Sequence, residues 1–299
     1  MTDKNFLRRL ISKPKLIQNL EFEQISAILS EVKKIFEQEH LMLEFTTKEN
    51  KKDSYVFGDI HGNLESLLKI VKLIEKNNPQ KAVFLGDIVD RGRYQLECLV
   101  IILCMKILNP SQIFLLKGNH ETLEMNQSYG FFYEFADKYK NNNFSEILKV
   151  YDVLPICSIF NNSILCLHGG IPEDIQILEK IRGLKPKDLN KEKYKSINEG
   201  IIQILWNDPK EGLDRFMRSY RGPGIKFFGR KAFDNFMDNY NLEYLIRAHE
   251  CFPEGYVWFF NNRLLSIFSA ANYRGDYSPN PATYAIIREK EIIPKEIHL

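Results

Sequence analysis

Asp59 and His61 stand one residue apart where the apolar run Tyr55-Val56-Phe57 ends, in the stretch Gly58-Asp59-Ile60-His61-Gly62. In extended backbone, positions i and i+2 face the same side, so both side chains can reach one cation. Five further apolar runs end in the same manner. Ala82-Val83-Phe84-Leu85 leads into Gly86-Asp87-Ile88-Val89-Asp90-Arg91-Gly92, and Ile113-Phe114-Leu115-Leu116 into Gly118-Asn119-His120-Glu121. Ile164-Leu165-Cys166-Leu167 meets His168-Gly169-Gly170, Tyr244-Leu245-Ile246 meets Arg247-Ala248-His249-Glu250, and Leu264-Leu265-Ser266-Ile267-Phe268 meets Ser269-Ala270-Ala271-Asn272-Tyr273. Asp87 is a carboxylate able to bridge two ions, while Asn119, His168 and His249 complete a second coordination sphere. The set offers nitrogen and oxygen but no sulfur. It suits a pair of hard or borderline ions roughly 3.5–4 Å apart, with manganese, iron and zinc all compatible, and not a structural zinc held by paired cysteines. Four of the six histidines (61, 120, 168 and 249) fall in these motifs, too many to be packing residues met by chance.

Two such ions sharpen a shared water and neutralise charge on a phosphoryl oxygen. The expected reaction is therefore phosphomonoester hydrolysis by direct attack of a metal-activated water or hydroxide. No cysteine stands in a phosphate-cradling loop and no motif offers an activated serine, so no covalent enzyme intermediate is expected. The leaving oxygen needs a proton, and His120 is the candidate donor, since its neighbour Asn119 is already directed at metal. Asp90, three residues after Asp87, can hold His120 as imidazolium by a charge-assisted hydrogen bond. Arg91 and Arg221, the latter in Arg221-Gly222-Pro223-Gly224, are expected to grip phosphate oxygens with their planar guanidinium groups. Arg215 and Arg218 are read as surface residues at helical spacing, and Arg247 as a supporting or structural residue beside a ligand.

Ligands gathered at the ends of apolar runs call for strands whose carboxyl ends converge, as in layered α/β folds. Residues 1–50 read as helical, with Ile25, Ile28, Leu29, Val32, Ile35 and Phe36 at helical spacing, and are expected to pack on the core rather than await a partner helix. Helices are expected over 64–76, 93–108 and 121–139, alternating with strands. From Gly255 the pattern changes to strands joined by short turns, with Asn261-Asn262 as a hairpin turn. Residues 48–53 read as a charged turn and 185–195 as a surface connection. The expected architecture is sheet on sheet with helices outside, in one domain spanning 1–299, because a division would split the ligand set. A net charge of +2 gives no pull toward nucleic acid, and no apolar run is long enough to span a bilayer. Cys98, Cys104, Cys157 and Cys166 lie in apolar runs and read as reduced core residues. With no signal peptide, a Thr at position 2 and no prenylation cysteine, a cytoplasmic setting is expected.

The six motifs have company. Asn126-Gln127-Ser128-Tyr129-Gly130-Phe131-Phe132-Tyr133-Glu134, Leu205-Trp206-Asn207-Asp208-Pro209, Arg221-Gly222-Pro223-Gly224 and Glu254-Gly255-Tyr256 join them. Together they resemble the phosphoprotein phosphatase family of serine/threonine phosphatases, the group that includes protein phosphatases type 1, 2A and calcineurin, over residues 14–288. The resemblance implies a calcineurin-like metallophosphoesterase β-sandwich flanked by helices, with a dinuclear site at the strand carboxyl ends. It implies Asp59, His61, Asp87, Asn119, His168 and His249 as metal ligands, and His120 with Asp90 as the acid pair. It also implies Arg91, Asn119, Arg221 and Tyr273 near phosphate, phosphoproteins as substrates, and regulatory subunits as partners open to test. Ala271 stands where the family commonly has Pro, and Arg274 where the type 1 and 2A enzymes commonly have Cys. Those departures, with Ser278-Pro279-Asn280-Pro281, fall in the loop that overhangs the site in relatives, which bears on substrate preference and toxin sensitivity. A dinucleoside polyphosphate hydrolase shares the first motifs and is the rival enzyme. A phosphate-binding scaffold without activity is the rival of another class, and no ligand or acid is missing as that reading would require.

Overall fold

Alternation along each strand decides the layering. In the computed structural model, which describes residues 2–46, 52–190, 197–275 and 277–298, Tyr55 and Phe57 face one way and Val56 the other. The same holds for Ala82 and Phe84 against Val83. Such period-two burial on both faces makes a strand that packs against another sheet on one side and helices on the other.

Strands β2 (Ser54–Phe57), β3 (Ala82–Phe84) and β4 (Ile113–Leu115) run parallel, and β13 (Ala282–Arg288) and β14 (Glu291–Ile297) extend the sheet antiparallel in the order β14-β13-β2-β3-β4. The facing sheet orders β1 (Met42–Phe45), β5 (Cys157–Phe160), β6 (Ile164–Leu167), β10 (Tyr244–Arg247), β12 (Leu264–Ile267) and β11 (Tyr256–Phe259). Within it β6, β10 and β12 are mutually parallel. Val56, Val83, Leu85 and Phe114 from one sheet meet Cys166, Ile246, Leu265 and Ile267 from the other, and form the interior of the sandwich.

The outer face of the first sheet is covered by α1 (Lys4–Ser12), α2 (Phe22–Phe36), α3 (Leu64–Asn77), α4 (Gln95–Leu108), α5 (Leu123–Tyr129), α6 (Phe131–Tyr139) and α7 (Ser145–Tyr151). That of the second is covered by α8 (Ile177–Ile181), α9 (Ile197–Trp206) and α10 (Arg230–Asn239). A small sheet of β7 (Asp208–Pro209), β9 (Lys226–Phe228) and β8 (Phe216–Arg218) lies beside them. Among the described residues no helix is long and apolar enough to cross a membrane, and all five cysteines are free, four of them buried.

Sheet on sheet with helices outside is as expected, and so is the hairpin: β11 and β12 pair through Phe259 and Leu264. Phe260, Asn261 and Asn262 between them hold φ of 53°, 54° and 61°, a region asparagine tolerates better than most residues. Four expectations need correction. Residues 42–45 are not helical but form β1, because Met42, Leu43 and Phe45 find burial beside β5, with Phe45 packed on Phe114 and Phe160. The helix expected over 121–139 is two helices, α5 and α6, since Gly130 takes φ 117° and turns the chain. Helix α4 starts at Gln95 and not 93. Arg215 and Arg218 are exposed as expected but belong to the β8 region, with no helix there. Of the expected surface connection, 186–190 form a short 3₁₀ helix and 191–195 lie outside the described residues, as do 48–51 of the charged turn.

Helix α4 is apolar almost all round, and its one buried cation ties the N-terminal helices to the sheet. Lys106 pairs with Glu39, donates to the carbonyls of Pro110 and Ile113 at 3.0 and 2.9 Å, and lies over the Phe114 ring. Burial pushes the Glu39 carboxyl up and the Lys106 ammonium down, against the pull of each on the other. A pair in which desolvation wins is replaceable by apolar groups but not by halves. Glu39→Ala should therefore destabilise the fold by about 3 kcal/mol in urea unfolding, and Lys106→Met added to it should recover most of that loss.

Candidate active site

The carboxyl ends of β2, β3 and β4 face those of β6, β10 and β12 across the open edge of the sandwich. All six motifs sit there. Close approach of the β3 and β4 ends depends on glycine: a Cβ on Gly86 would lie 2.2 Å from the Gly118 nitrogen, and one on Gly118 2.2 Å from Asp87 Oδ1. Glu121 locks that crossing. Its carboxylate accepts from the backbone N–H of Asp87, Ile88 and Gly118 at 2.9, 3.0 and 2.7 Å. His61, Asp87, Asp90, Arg91 and His249 all hold positive φ, between 45° and 70°, so the rim of the site is built from sparsely populated backbone.

Asp59, His61, Asp87, Asn119, His120 and His168 are at most 4 % exposed. Asp87 Oδ2 lies 3.6 Å from His61 Nε2, 3.4 Å from His168 Nε2 and 3.9 Å from His120 Nε2. His61 Nε2 is also 3.5 Å from Asp59 Oδ2. His168 Nε2 lies 2.8 Å from Asn119 Oδ1 and 3.1 Å from His249 Nδ1. Asp59 Oδ1 accepts from the His249 backbone N–H at 2.9 Å, which joins the two sheets. The second ring nitrogens are fixed from behind: His61 Nδ1 donates to Val89 O at 2.9 Å and His168 Nδ1 to Leu85 O at 3.0 Å. Both Nε2 lone pairs are thereby turned to the cleft, as in carbonyl-oriented metal ligands.

These residues fit a pair of cations. Two groups of donors, His61–Asp87–His120 and Asp87–His168–His249, each gather within 4.8 Å and share Asp87. Asp59 Oδ2 is buried without a hydrogen-bond partner among the described residues, a costly condition that a metal bond relieves, and His249 turns Nδ1 toward His168 in the second group. Asp59 stands beside the first group through His61, and Asn119 beside the second through His168. Protons and cations would compete for the same atoms. Burial opposes charge on His61, but Asp59 and Asp87 outweigh it and raise the group to about 9. Burial likewise opposes ionisation of Asp87, and His168, His120 and His61 overcome it and hold the carboxyl well below its usual range. At His249, burial together with Arg221, His168 and Arg247 keeps the ring neutral, the form that ligates.

His120 turns its other nitrogen away. Nδ1 donates to Asp90 Oδ2 at 2.7 Å, as the sequence leads one to expect. Arg91 projects outward over the Tyr129 ring at 4.1 Å and near Tyr273 at 5.9 Å, and has no ion-pair partner among the described residues. Tyr273 stacks on His61, centroids 5.2 Å apart and planes 17° off parallel. Both line a groove of about 490 Å³ that leads from His61 past Asn63 and Tyr94. Arg221 does not stand free. It is paired with buried Asp208, whose other oxygen takes Arg247 Nη2 at 2.9 Å and lies 3.9 Å from His249 Nε2. Arg247, wholly buried, also donates to Gly169 O at 2.6 Å and to Glu250 at 3.0 Å, the supporting part expected of it. In the overhanging loop, Ala271 is buried and bonded to Ser66 and Asn63, and exposed Arg274 donates to the Cys251 carbonyl at 3.2 Å.

Sequence reasoning assigned no role to Glu121, Asn126 or Asp208, although all three lie inside motifs it singled out. Their partners are backbone or distant side chains, so spacing carried no signal for them.

Comparison with known proteins gives the family and the fold. The family model for calcineurin-like phosphoesterase matches residues 54–253. The serine/threonine-protein phosphatase 4 catalytic subunit of Saccharomyces cerevisiae is 37% identical over 79% of this chain and 75% of its own. A protein phosphatase 2A catalytic subunit of Dictyostelium discoideum is 33% identical over 79% and 74%. Among solved structures, a serine/threonine phosphatase from Saccharomyces cerevisiae with similarity to human PP5 superposes with a TM-score of 0.82 at 26% identity, covering 98% of this chain and 95% of that one. A cold-active protein-tyrosine phosphatase of a Shewanella species shares the fold, with a TM-score of 0.60 at 16% identity. The family match over most of the strands and the relatives' identity over three quarters of their length agree: the chain belongs to the calcineurin-like phosphoesterase family, within its serine/threonine protein phosphatase branch.

Proposed function

We propose that this chain is a metal-dependent protein phosphatase catalytic subunit that hydrolyses phosphoserine and phosphothreonine in proteins. The observation that carries the reading is the gathering of His61, His168 and His249 at the Asp87 carboxylate, with Asp59 against His61, Asn119 against His168 and the His120–Asp90 pair on the rim. Two divalent ions bound by those six residues, with manganese, iron and zinc as the fitting elements, would supply a water of lowered pKa and charge to balance the phosphoryl oxygens. The chain's own residues do the rest. Arg91 and Arg221 hold phosphate oxygens, with Arg221 restrained by Asp208, and Asn119 lies where it can touch both metal and phosphate. Tyr273, flat on His61, closes the site to bulk water. His120 delivers a proton from Nε2 to the serine or threonine oxygen as the P–O bond breaks, while Asp90 holds Nδ1–H. The oxygen of water bonds to phosphorus as the P–O bond to the side chain breaks, so inorganic phosphate and the protonated alcohol are the products, with no covalent enzyme intermediate. Contributions from residues 59 to 273 to one site support a single catalytic domain. The likeness to catalytic subunits supports regulatory partners, and a cytoplasmic setting belongs to the same reading.

Purified, metal-loaded protein should hydrolyse a phosphoserine peptide at least about 100-fold faster, by kcat/KM, than a diadenosine polyphosphate, a gap of about 2.7 kcal/mol in transition-state binding. The reverse preference would assign the chain to the dinucleotide hydrolases of the wider superfamily, and inactivity toward both in protein with full metal content would leave the scaffold reading.

A further inference from the structure

Asn126 is wholly buried on α5 and touches both halves of the acid pair. One amide nitrogen donates to Asp90 Oδ2 and to the His120 carbonyl, each at 2.8 Å. Asp90 Oδ2 also accepts from His120 Nδ1, and its Oδ1 from the Phe131 N–H at 3.1 Å, at the start of α6. With both oxygens engaged from three directions, the carboxylate cannot rotate away from His120. The backbone beneath it is fixed as well. The Asp90 N–H donates to Gln95 Oε1 at 2.8 Å; Gln95 Nε2 donates to Glu134 Oε2 at 2.6 Å; and Glu134 Oε1 accepts from the Leu96 N–H. Asp90 needs such restraint because it holds φ 68°, a conformation an aspartate keeps only when its surroundings dictate it. The amide at 126 meets two acceptors, so only a donor fits there. Its Oδ1 has no partner among the described residues, and a carboxylate at this position would face Asp90 and the His120 carbonyl with like charge and lone pairs.

We propose that Asn126 is a positioning residue for leaving-group protonation, holding Asp90 and His120 in register so that His120 Nε2 meets the departing oxygen. The inference rests on the reading of His120 as the proton donor. The test compares a phosphoserine peptide, whose alkoxide leaves poorly without a proton, with p-nitrophenyl phosphate, whose phenolate leaves without one. Asn126→Ala and Asn126→Ser are measured beside His120→Asn, each after elemental analysis of bound metal. In the Asn126 variants the ratio of peptide to p-nitrophenyl kcat should fall at least about 10-fold, part of the 10²–10⁴ such catalysis supplies, with metal content and peptide KM near normal. An equal loss on both substrates, or failure of both variants to fold with metal bound, would make Asn126 a structural residue and overturn the proposal. A normal ratio in His120→Asn itself would place the failure in the proton-donor assignment, and the proposal would fall with it.

Discussion

His120→Asn should lower turnover of a phosphoserine peptide by about 10²–10⁴ while leaving bound metal nearly normal. The substitution removes the proton that Nε2 would deliver and leaves a shorter amide that reaches only the Nδ1 side of the imidazole, where His120 donates to Asp90 at 2.7 Å. His120 Nε2 is the most distant of the three imidazole nitrogens around Asp87 Oδ2, at 3.9 Å against 3.4 and 3.6 Å. Asp59 Oδ2, 3.5 Å from His61 Nε2, can take its place in the His61–Asp87–His120 group. Elemental analysis alongside steady-state kinetics would check both halves. Activity retained within about 10-fold would refute the acid assignment, and loss of metal together with activity would recast His120 as a ligand.

Asp87→Asn should have the larger effect, removing metal and activity together. The exchange keeps the shape and forfeits the negative charge shared by both donor groups, leaving three buried imidazoles around a neutral amide. Asp87 Oδ1 also accepts from the His120 N–H at 2.9 Å, so the acid would shift as well. The readouts are metal content, turnover, and the rise in melting temperature that saturating manganese gives a protein whose native state binds it; the variant should lose all three. A fully metallated, active variant would sink the bridging role.

Much of this site was legible in the chain itself. An apolar run that stops at Gly-Asp or Gly-Asn is a local signal, and each of the six runs is a strand with its candidate site residue just past the carboxyl end. Helices α3 and α4 were legible for the same reason, since periodicity is written within a few turns. Strand β1 was not: Met42 to Phe45 are apolar enough to prolong a helix, and their pairing with Cys157–Phe160 is a long-range event. The break at Gly130 was a local cue that apolar spacing on both sides masked. Asp208 was hidden more deeply. In sequence it is one acid before a proline, and only the fold sets it between Arg221 and Arg247, where it restrains both guanidinium groups.

Because three strands of each sheet bring residues to one rim, bound cations would act as a clasp on the two leaves of a book. A slip of one leaf past the other by an ångström would separate Asp59 and Asp87 from His168 and His249, so the clasped edge tolerates almost no insertion or drift. At the opposite edge, turns such as Asn78-Pro79-Gln80 and Asn161-Asn162 carry none of these side chains and can vary in length and sequence without disturbing the ligand set. Change compatible with activity should accumulate along that spine.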